Sequence, residues 1–193
     1  MSTRQKILDT ALTLFNDQGT AAVSTNHIAD AASISPGNLY YHFRNKEEII
    51  RELFERLSAA NNIAFALPKN QLPTLDDLQG MVKANYKILW DYRFAHRELV
   101  ALLRADAELR SSFLAVRKRG FEGFTQLFKA FVTAGIFRAP SQPNEISNLA
   151  EVIWMITEFW LTSLEIGGKT VDEAQMERGA ALMMQVLAPY LLQ

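Results

Sequence analysis

Hydroxyl, amide and imidazole side chains are concentrated in residues 33–43, which read SISPGNLYYHF. Tyrosine and histidine can serve as an acid–base pair, as core residues or as contacts to nucleic acid. A catalytic pair needs a pocket that holds acid and base at hydrogen-bonding distance from a substrate. One two-turn helix provides no such pocket, so we assign no catalytic residue and do not expect an enzyme.

Metal-binding side chains are scarce in this chain. It has no cysteine, which excludes disulfides and thiolate metal sites. Its three histidines, His27, His42 and His96, lie far apart and show no spacing typical of metal ligands. We therefore expect no metal and no cofactor.

The formal net charge of −1 at pH 7 does not favour binding to nucleic acid. Residues 1–50 carry four basic and five acidic side chains: Arg4, Lys6, Arg44 and Lys46 against Asp9, Asp17, Asp30, Glu47 and Glu48. A DNA-binding domain usually has a basic surface that contacts phosphates. A more specific feature must therefore argue for DNA as the partner.

Segments that direct a chain to a membrane are not evident in the sequence. The first residues, MSTRQKILDTALTLF, have neither the apolar segment nor the small-residue cleavage site of a signal peptide. No apolar run reaches the roughly 18 residues that a transmembrane helix requires. Glu158 interrupts the longest one, VIWMITEFWLTSL. We expect a cytoplasmic protein that does not contact a membrane.

Apolar residues recur at helical spacing along almost the whole chain, and no segment alternates as a strand would. Short helices are predicted near 25–31 and 35–42, and longer ones near 74–94, 96–104, 106–134, 145–165 and 171–191. The proline-containing segments 67–74 and 138–145 are predicted linkers. The pattern predicts an all-α fold.

The two short helices carry the end signals of a helix-turn-helix. Ser24 is placed to cap the first of them. The second begins at Ser35 and Pro36, where the missing proline N–H is not needed. Two short helices joined by so tight a turn typically form a helix-turn-helix, whose second helix enters the DNA major groove.

The second short helix is predicted to bury one side and expose an unusual other side. At about 100° per residue, Leu39 and Phe43 define the buried direction. The outer side carries Gly37, Asn38 and Tyr41, with Tyr40 and His42 at its edges. Tyr40 or His42 taken singly is more often an ordinary half-buried residue. The combination with a glycine and an exposed aromatic ring favours close approach of another backbone.

Groups that bind phosphate without formal charge are available at both helix starts. The N-terminal N–H groups of the two helices can hold phosphates, and the hydroxyls of Ser24, Thr25 and Ser35 lie beside them. Lys46 and Arg44 supply the few positive charges. A near-neutral domain can bind double-stranded DNA in this way.

The segment STNHIADAASISPGNLYYHFRNKEEII, within a match over residues 4–57, resembles the N-terminal domain of the TetR (tetracycline-repressor-like) family of transcriptional regulators. The resemblance implies an all-α homodimer that binds a palindromic operator, usually as a repressor. It implies base contacts from Asn26, Gly37, Asn38 and Tyr40, and backbone contacts from Ser24, Thr25, Ser35, Tyr41, His42 and Lys46.

Four positions depart from the family pattern. Asn26 and Asn38 are not the arginine or threonine of many relatives, so the operator sequence cannot be taken from them. Ser33 occupies a turn position where the family commonly has glycine, so a positive φ there would cost about 1 kcal/mol. Thr20 stands where an aromatic residue is common, so we expect different packing around the first helix.

The resemblance also implies a division of the chain. Residues 1–46 would form the helix-turn-helix domain, 47–67 a connecting helix, and 68–193 an effector-binding and dimerisation domain. The last two helices would pair with a second copy as a four-helix bundle. The residues expected there are Leu149, Ile153, Ile156, Trp160, Leu164, Leu182, Met183, Val186, Leu187 and Tyr190. The alternative is that they form internal core.

An aromatic-rich set in the C-terminal part suits a pocket for a lipophilic or aromatic effector. Its members are Tyr86, Trp90, Phe94, Phe113, Phe121, Phe124, Phe128, Trp154, Glu158 and Phe159. Each aromatic taken singly is more often plain core. Glu158 would bind a cationic or hydroxyl-bearing ligand, or pair with an arginine at the dimer interface, and we favour the arginine. His96, Arg97 and Glu98 would line a pocket mouth or, as we prefer, lie in a solvated loop. Arg117, Lys118 and Arg119 would form an exposed helix face.

Three hypotheses follow for the whole chain. The first is a repressor that a small-molecule effector releases from DNA. The second is a constitutive DNA-binding protein of the same fold without an effector. The third is an all-α enzyme or small-molecule carrier, which would need a pocket with paired titratable groups.

Overall fold

The computed structural model describes residues 2–67 and 71–192, and their regular structure is helical. The helices are α1 (Thr3–Gln18), α2 (Thr25–Ala31), α3 (Pro36–His42), α4 (Lys46–Ala64), α5 (Leu75–Asp91), α6 (Arg93–Arg97), α7 (Leu99–Ala105), α8 (Ala107–Thr133), α9 (Glu145–Ile166) and α10 (Glu173–Leu187). A 3₁₀ turn, Ala188–Tyr190, follows. The all-α prediction is confirmed, whereas residues 68–70 of the predicted linker lie outside the described residues.

Helix ends follow local chemistry. α1 ends at Gly19, whose φ of 80° is available to glycine at little cost. The predicted helix at 74–94 is divided, because α5 ends at Asp91 and α6 begins at Arg93. The predicted helix at 171–191 is shorter, since Pro189 lies in the 3₁₀ turn that follows Leu187.

The chain forms two compact units. The first unit comprises Met1–Ala59 and Asp91–Phe113, and the second comprises Ala60–Trp90 and Leu114–Gln193. Helices α4 and α8 each contribute residues to both. The functional division into 1–46, 47–67 and 68–193 stays a prediction.

The first unit has a core of apolar side chains drawn from its first four helices. The fully buried members include Ile7, Leu8, Phe15, Ile28, Leu39, Phe43, Ile49 and Leu53. Asn16 adds a polar connection, because its Nδ2 donates to the Asp91 carbonyl at 2.8 Å and its Oδ1 accepts from the Phe94 N–H at 3.0 Å. These bonds fix the start of α6 against α1.

The second unit is built around a separate apolar core. Its buried members include Leu78, Met81, Tyr86, Phe128, Phe131, Leu161, Leu164 and Met183. The end of the chain is held by backbone hydrogen bonds: Arg138 N–H donates to the Tyr190 carbonyl at 2.7 Å and Leu192 N–H to the Ile136 carbonyl at 2.9 Å. Along the described parts of the chain, helices that combine the length and the apolar character needed to span a bilayer do not occur.

Candidate nucleic-acid interface and effector site

The start of α2 is fixed by a reciprocal cap. Ser24 Oγ accepts from the His27 N–H at 3.2 Å, and His27 Nδ1 accepts from the Ser24 N–H at 3.4 Å. Val23 before the cap and Ile28 within the helix are both buried, which fixes the direction of chain entry. The cap prediction is confirmed. The exposed first turn of α2 thus presents its N–H groups in one defined orientation.

The turn between α2 and α3 has a positive φ at Ser33, the position where the family commonly has glycine. Ser33 has φ 52°, and no other non-glycine residue in the described chain has a positive φ. Its N–H donates to the Asp30 carbonyl and the Ile34 N–H to the Ala29 carbonyl, each at 3.0 Å. These two bonds close the turn, so the surrounding structure holds the serine in a region that glycine occupies more easily.

Helix α3 exposes the side predicted to face DNA. Ser35 Oγ accepts from the Asn38 N–H at 3.2 Å, and Pro36 is the first helical residue. Leu39 is 0% and Phe43 1% exposed, so their predicted burial is confirmed. Tyr41 is 84% exposed, which is the outward position expected for it.

A hydroxyl pair links the two helices of the motif. Thr25 Oγ1 and Tyr40 Oη lie 2.8 Å apart, and Tyr40 is 49% exposed. Tyr41 and His42 form an edge-on ring pair with centroids 5.1 Å apart. Asn26, Gly37 and Asn38 are exposed. Every one of these side chains can therefore be approached from solvent, while the Thr25–Tyr40 pair holds α3 against α2.

Lys46 forms structural hydrogen bonds at the start of α4. Its Nζ donates to the carbonyls of Thr20 at 2.6 Å and Val23 at 3.0 Å. The amine therefore holds the loop that precedes α2, and only its third proton is left for another acceptor. Arg44 is exposed, which leaves its guanidinium free to reach a phosphate. A phosphate contact by either side chain stays a prediction.

Glu98 was expected at a pocket mouth or in a solvated loop, but it contacts the loop that precedes α2. Its carboxylate accepts from the Thr20 N–H at 2.9 Å and from the Thr20 hydroxyl. A Cβ on Gly19 would lie 2.9 Å from Glu98 Oε1, so glycine permits this approach. The acidic side chain is 78 positions away in the chain, and no local pattern connects it with the loop.

His96 does not lie in a solvated loop, as the sequence had suggested. It belongs to α6, and its Nδ1 is buried with no hydrogen-bond partner among the described residues. Burial lowers the pKa of His96 from 6.5 to about 4. The imidazole is therefore neutral at pH 7, and it is unsuited to bind an anion.

The residues predicted for the dimer interface face the core of their own chain. Leu149, Leu164, Met183 and Leu187 are buried. The half-buried members that pack against this core are Ile153, Ile156, Trp160, Val186 and Tyr190. Leu182 is also half-buried. Six of the ten are only half-buried in this chain, so the choice between a dimer interface and internal core stays a prediction. The homodimer itself stays a prediction.

The structure separates two members of the predicted effector set from the others. Phe94 and Phe113 belong to the first unit, where both pack edge-on against Phe54 at centroid distances of 6.2 and 6.3 Å. In the second unit, Tyr86 and Phe128 are buried core, Trp90 packs against that core, and Phe159 is 48% exposed. The ten residues therefore belong to two different units, and the pocket stays a prediction.

Four members of the set do lie together, between α8 and α9. Phe121 and Trp154 stack with centroids 4.5 Å apart and planes at 23°. Phe124 meets the same indole edge-on at 6.3 Å. Glu158 accepts a hydrogen bond from Arg117, whose guanidinium carbon is 5.2 Å from the centroid of Phe121. We call Arg117, Phe121, Phe124, Trp154 and Glu158 the cation–aromatic cluster.

The electrostatics of this cluster are dominated by a half-buried ion pair. The Glu158 side chain is 14% and the Arg117 side chain 31% exposed. Burial raises the pKa of Glu158, and the neighbouring Arg117 charge opposes that rise. The arginine partner of Glu158 is thus in the same chain. Arg117 is not part of an exposed basic face, in contrast to Lys118 and Arg119.

Comparison with protein families matches the chain along nearly its full length. A model described as "Bacterial regulatory proteins, tetR family" matches residues 7–53. A second, TetR, described as "Bacterial transcriptional repressor", matches residues 56–193. A crystal structure of a TetR-family transcriptional regulator from Marinobacter aquaeolei VT8 is similar over 100% of this chain and 92% of its own, with 34% identity and a TM-score of 0.89.

Curated relatives match over shorter segments. The HTH-type transcriptional regulator AcrR of Shigella flexneri is 46% identical over 59 residues, which are 31% of this chain and 27% of that protein. The negative transcriptional regulator IcaR of the Staphylococcus epidermidis biofilm operon is 40% identical over 112 residues, 56% of this chain and 57% of its own. The chain spans less than two thirds of the length of both relatives.

Proposed function

The chain belongs to the TetR family of bacterial regulatory proteins, and from that premise we propose that it is a transcriptional repressor. It binds a palindromic DNA operator as a homodimer. A small lipophilic or aromatic effector, bound in the second unit, releases it. Because bacterial DNA lies in the cytoplasm, a protein that binds an operator is expected there.

The main support for the proposal is the composition of the exposed side of α3. Tyr41 is 84% exposed although it is a large aromatic residue, while Leu39 and Phe43 on the opposite side are fully buried. Exposing such a ring gives a monomeric chain no stability. Together with Gly37 and Asn38, it forms a surface that suits the major groove, where amide and hydroxyl groups read base edges and phosphates.

A second copy has an apolar surface available on α9. Val152, Met155, Phe159 and Ile166 are exposed by 38%, 55%, 48% and 84%. Their spacing of three, four and seven residues puts them on one side of the helix. An exposed apolar stripe of this kind is typical of a protein–protein interface. We propose that this stripe, and not the inward-facing residues, pairs with its equivalent across a two-fold axis.

Release by an effector follows from a difference in affinity between two states. The recognition helices of a bound dimer must be about 34–36 Å apart, one turn of DNA. An effector that binds better to a state with another spacing lowers the population that fits the operator. An effector that makes the same contacts in both states cannot release the protein from DNA. It must therefore touch residues whose arrangement differs between the two states.

The test is fluorescence anisotropy with duplexes from the promoter region of the protein's own gene. Wild-type protein is expected to bind one of these duplexes and to ignore a shuffled duplex of equal length and composition. Tyr41→Ala is expected to weaken operator binding at least about 10-fold, as loss of a groove contact commonly does, with thermal stability unchanged. The matched control is Tyr92→Ala, which lies outside the helix-turn-helix. Wild-type binding that is equal on both duplexes, or a Tyr41→Ala variant that binds like wild type, contradicts the proposal.

A further inference from the structure

The cation–aromatic cluster already holds one cation. The Arg117 guanidinium lies 5.2 Å from the Phe121 centroid and donates to the Glu158 carboxylate. Phe121 is stacked on Trp154. A cation over an aromatic face and against a carboxylate is a well-matched arrangement, since both the ring quadrupole and the anion attract it.

The stacked rings of Phe121 and Trp154 form the aromatic wall of the cluster, and the Trp154 indole packs closely on α8. A Cβ on Gly120 would lie 2.7 Å from Trp154 Cζ2, so the indole rests against the helix at a position that has no side chain. Phe124 contacts the Trp154 indole edge-on, with centroids 6.3 Å apart. The ring surface therefore has a defined position, which a flat ligand requires for stacking.

The two partners of the ion pair differ in how easily they can leave. Arg117 has a long side chain that is 31% exposed, so it can turn into water and remain solvated. Glu158 is 14% exposed, and leaving it alone would bury an unpaired charge. A ligand that replaces the arginine must therefore bring a positive charge of its own.

We propose that the effector is a flat aromatic cation that displaces Arg117 and binds between the Glu158 carboxylate and the Phe121–Trp154 rings. The inference rests on the proposed function, because it presumes an effector site in the second unit. Arg117 acts as a built-in competitor that occupies the place of the ligand's cationic group. An aromatic anion is disfavoured, since it and Glu158 would compete for one guanidinium and leave one carboxylate buried without a partner.

Three naphthalene probes of similar size separate these chemistries: 2-naphthylmethyl-trimethylammonium, 2-naphthylmethanol and 2-naphthylacetate. Their affinities for the full chain are measured by isothermal titration calorimetry. The cation is expected to bind at least about 10-fold more tightly than the neutral and anionic probes. Tighter binding of the anion, or equal binding of all three, would overturn the proposal.

Two variants test the assigned partners. Glu158→Gln is expected to lower the affinity for the cationic probe about 10-fold and to leave the affinity for the neutral probe unchanged, because only the charge is removed. Arg117→Met is expected to raise the affinity for the cationic probe about 10-fold, because the competing guanidinium has been removed. The controls are Glu151→Gln and Arg119→Met, exposed neighbours on the same helices. A Glu158→Gln effect no larger than that of Glu151→Gln overturns the proposal. If Glu158→Gln does not fold, Arg117→Met alone tests the proposal. An Arg117→Met affinity for the cation that is no higher than that of wild type then overturns the proposal.

Operator binding by the ligand-free chain is measured in parallel, so that the two proposals fail separately. Absence of operator binding contradicts the proposed function. Intact operator binding without preference for the cation contradicts only the cationic effector. Cation binding that lowers operator affinity in the wild type, but not in Glu158→Gln, supports both.

Discussion

The carboxylate of Glu98 accepts a hydrogen bond from the backbone N–H of Thr20 at 2.9 Å and another from its hydroxyl. This contact joins the α6–α7 junction to the loop that leads into α2. The same loop receives Lys46 from the other direction, because the carbonyls of Thr20 and Val23 both accept from its amine. The start of α2 is thus positioned by two charged side chains, neither of which lies in α2 or α3.

Removal of the Glu98 carboxylate is expected to destabilise the first unit. In Glu98→Ala, the N–H of the buried Thr20 loses its acceptor, which commonly costs about 1–3 kcal/mol. Urea unfolding measures the difference in free energy against wild type. The control is Glu47→Ala, which removes an exposed carboxylate from α4. An unfolding free energy equal to that of the control would show that Glu98 does not hold the loop.

Operator binding is expected to depend weakly on salt. Only Arg44 and, in part, Lys46 bring positive charge to the motif, so a dimer neutralises about four phosphates and log K against log salt has a slope of about −4. Arg44→Ala should reduce the slope by about 2, whereas Lys83→Ala, in the second unit, should not change it. Lys46→Met should mainly lower stability, because the loop carbonyls lose their donor. A wild-type slope near −10 would show that other cations bind the DNA.

How far the sequence predicts this site depends on the distance over which each contact acts. The caps at Ser24 and Ser35 and the burial of Leu39 and Phe43 were predicted correctly, since neighbours within one or two turns determine them. The positive φ of Ser33 was raised only as a condition, because the family commonly has glycine at this position, and the structure shows that the condition holds. The contact between Glu98 and Thr20 was not predicted. The two residues are 78 positions apart in the chain, and only the tertiary fold brings them together.

Which side of α9 packs against the core could not be predicted from the sequence, for a different reason. Apolar residues occur on both sides of this helix, so periodicity does not decide which side packs inward. The sequence pointed to Leu149 and Leu164 as an interface, and both are buried in the core of the second unit. Met155 and Phe159 are the exposed residues instead. Only the positions of α5, α8 and α10 resolve the ambiguity.

Charges introduced into the exposed stripe of α9 are expected to break the dimer. Met155→Lys with Phe159→Lys would bury two unpaired ammonium groups per protomer, which should weaken self-association at least about 100-fold. Sedimentation equilibrium gives the association constant, and circular dichroism checks the helix content. Leu114→Lys, at an exposed apolar position on α8, is the control. If the double variant sediments like the control, the stripe is not the dimer interface.

Stability is expected to fall in weak acid because of His96. Burial lowers its pKa in the folded chain to about 4, while the unfolded chain keeps a value near 6.5. Between these values the unfolded state binds a proton that the folded state does not, so the free energy of unfolding decreases as the pH falls. The decrease begins near pH 6.5, has a slope of at most about 1.4 kcal/mol per pH unit, and ends near pH 4, where the folded chain is protonated as well.

Urea unfolding at several pH values between 7.5 and 4 isolates this contribution when wild type and His96→Gln are compared. The substitution removes the titrating group, so the difference between the two free energies should shrink steadily as the pH is lowered. His27→Gln serves as the control, because glutamine also suits the third position of a capped helix. A His96→Gln profile parallel to that of wild type would mean that the imidazole accepts its proton as easily in the folded chain as in the unfolded one.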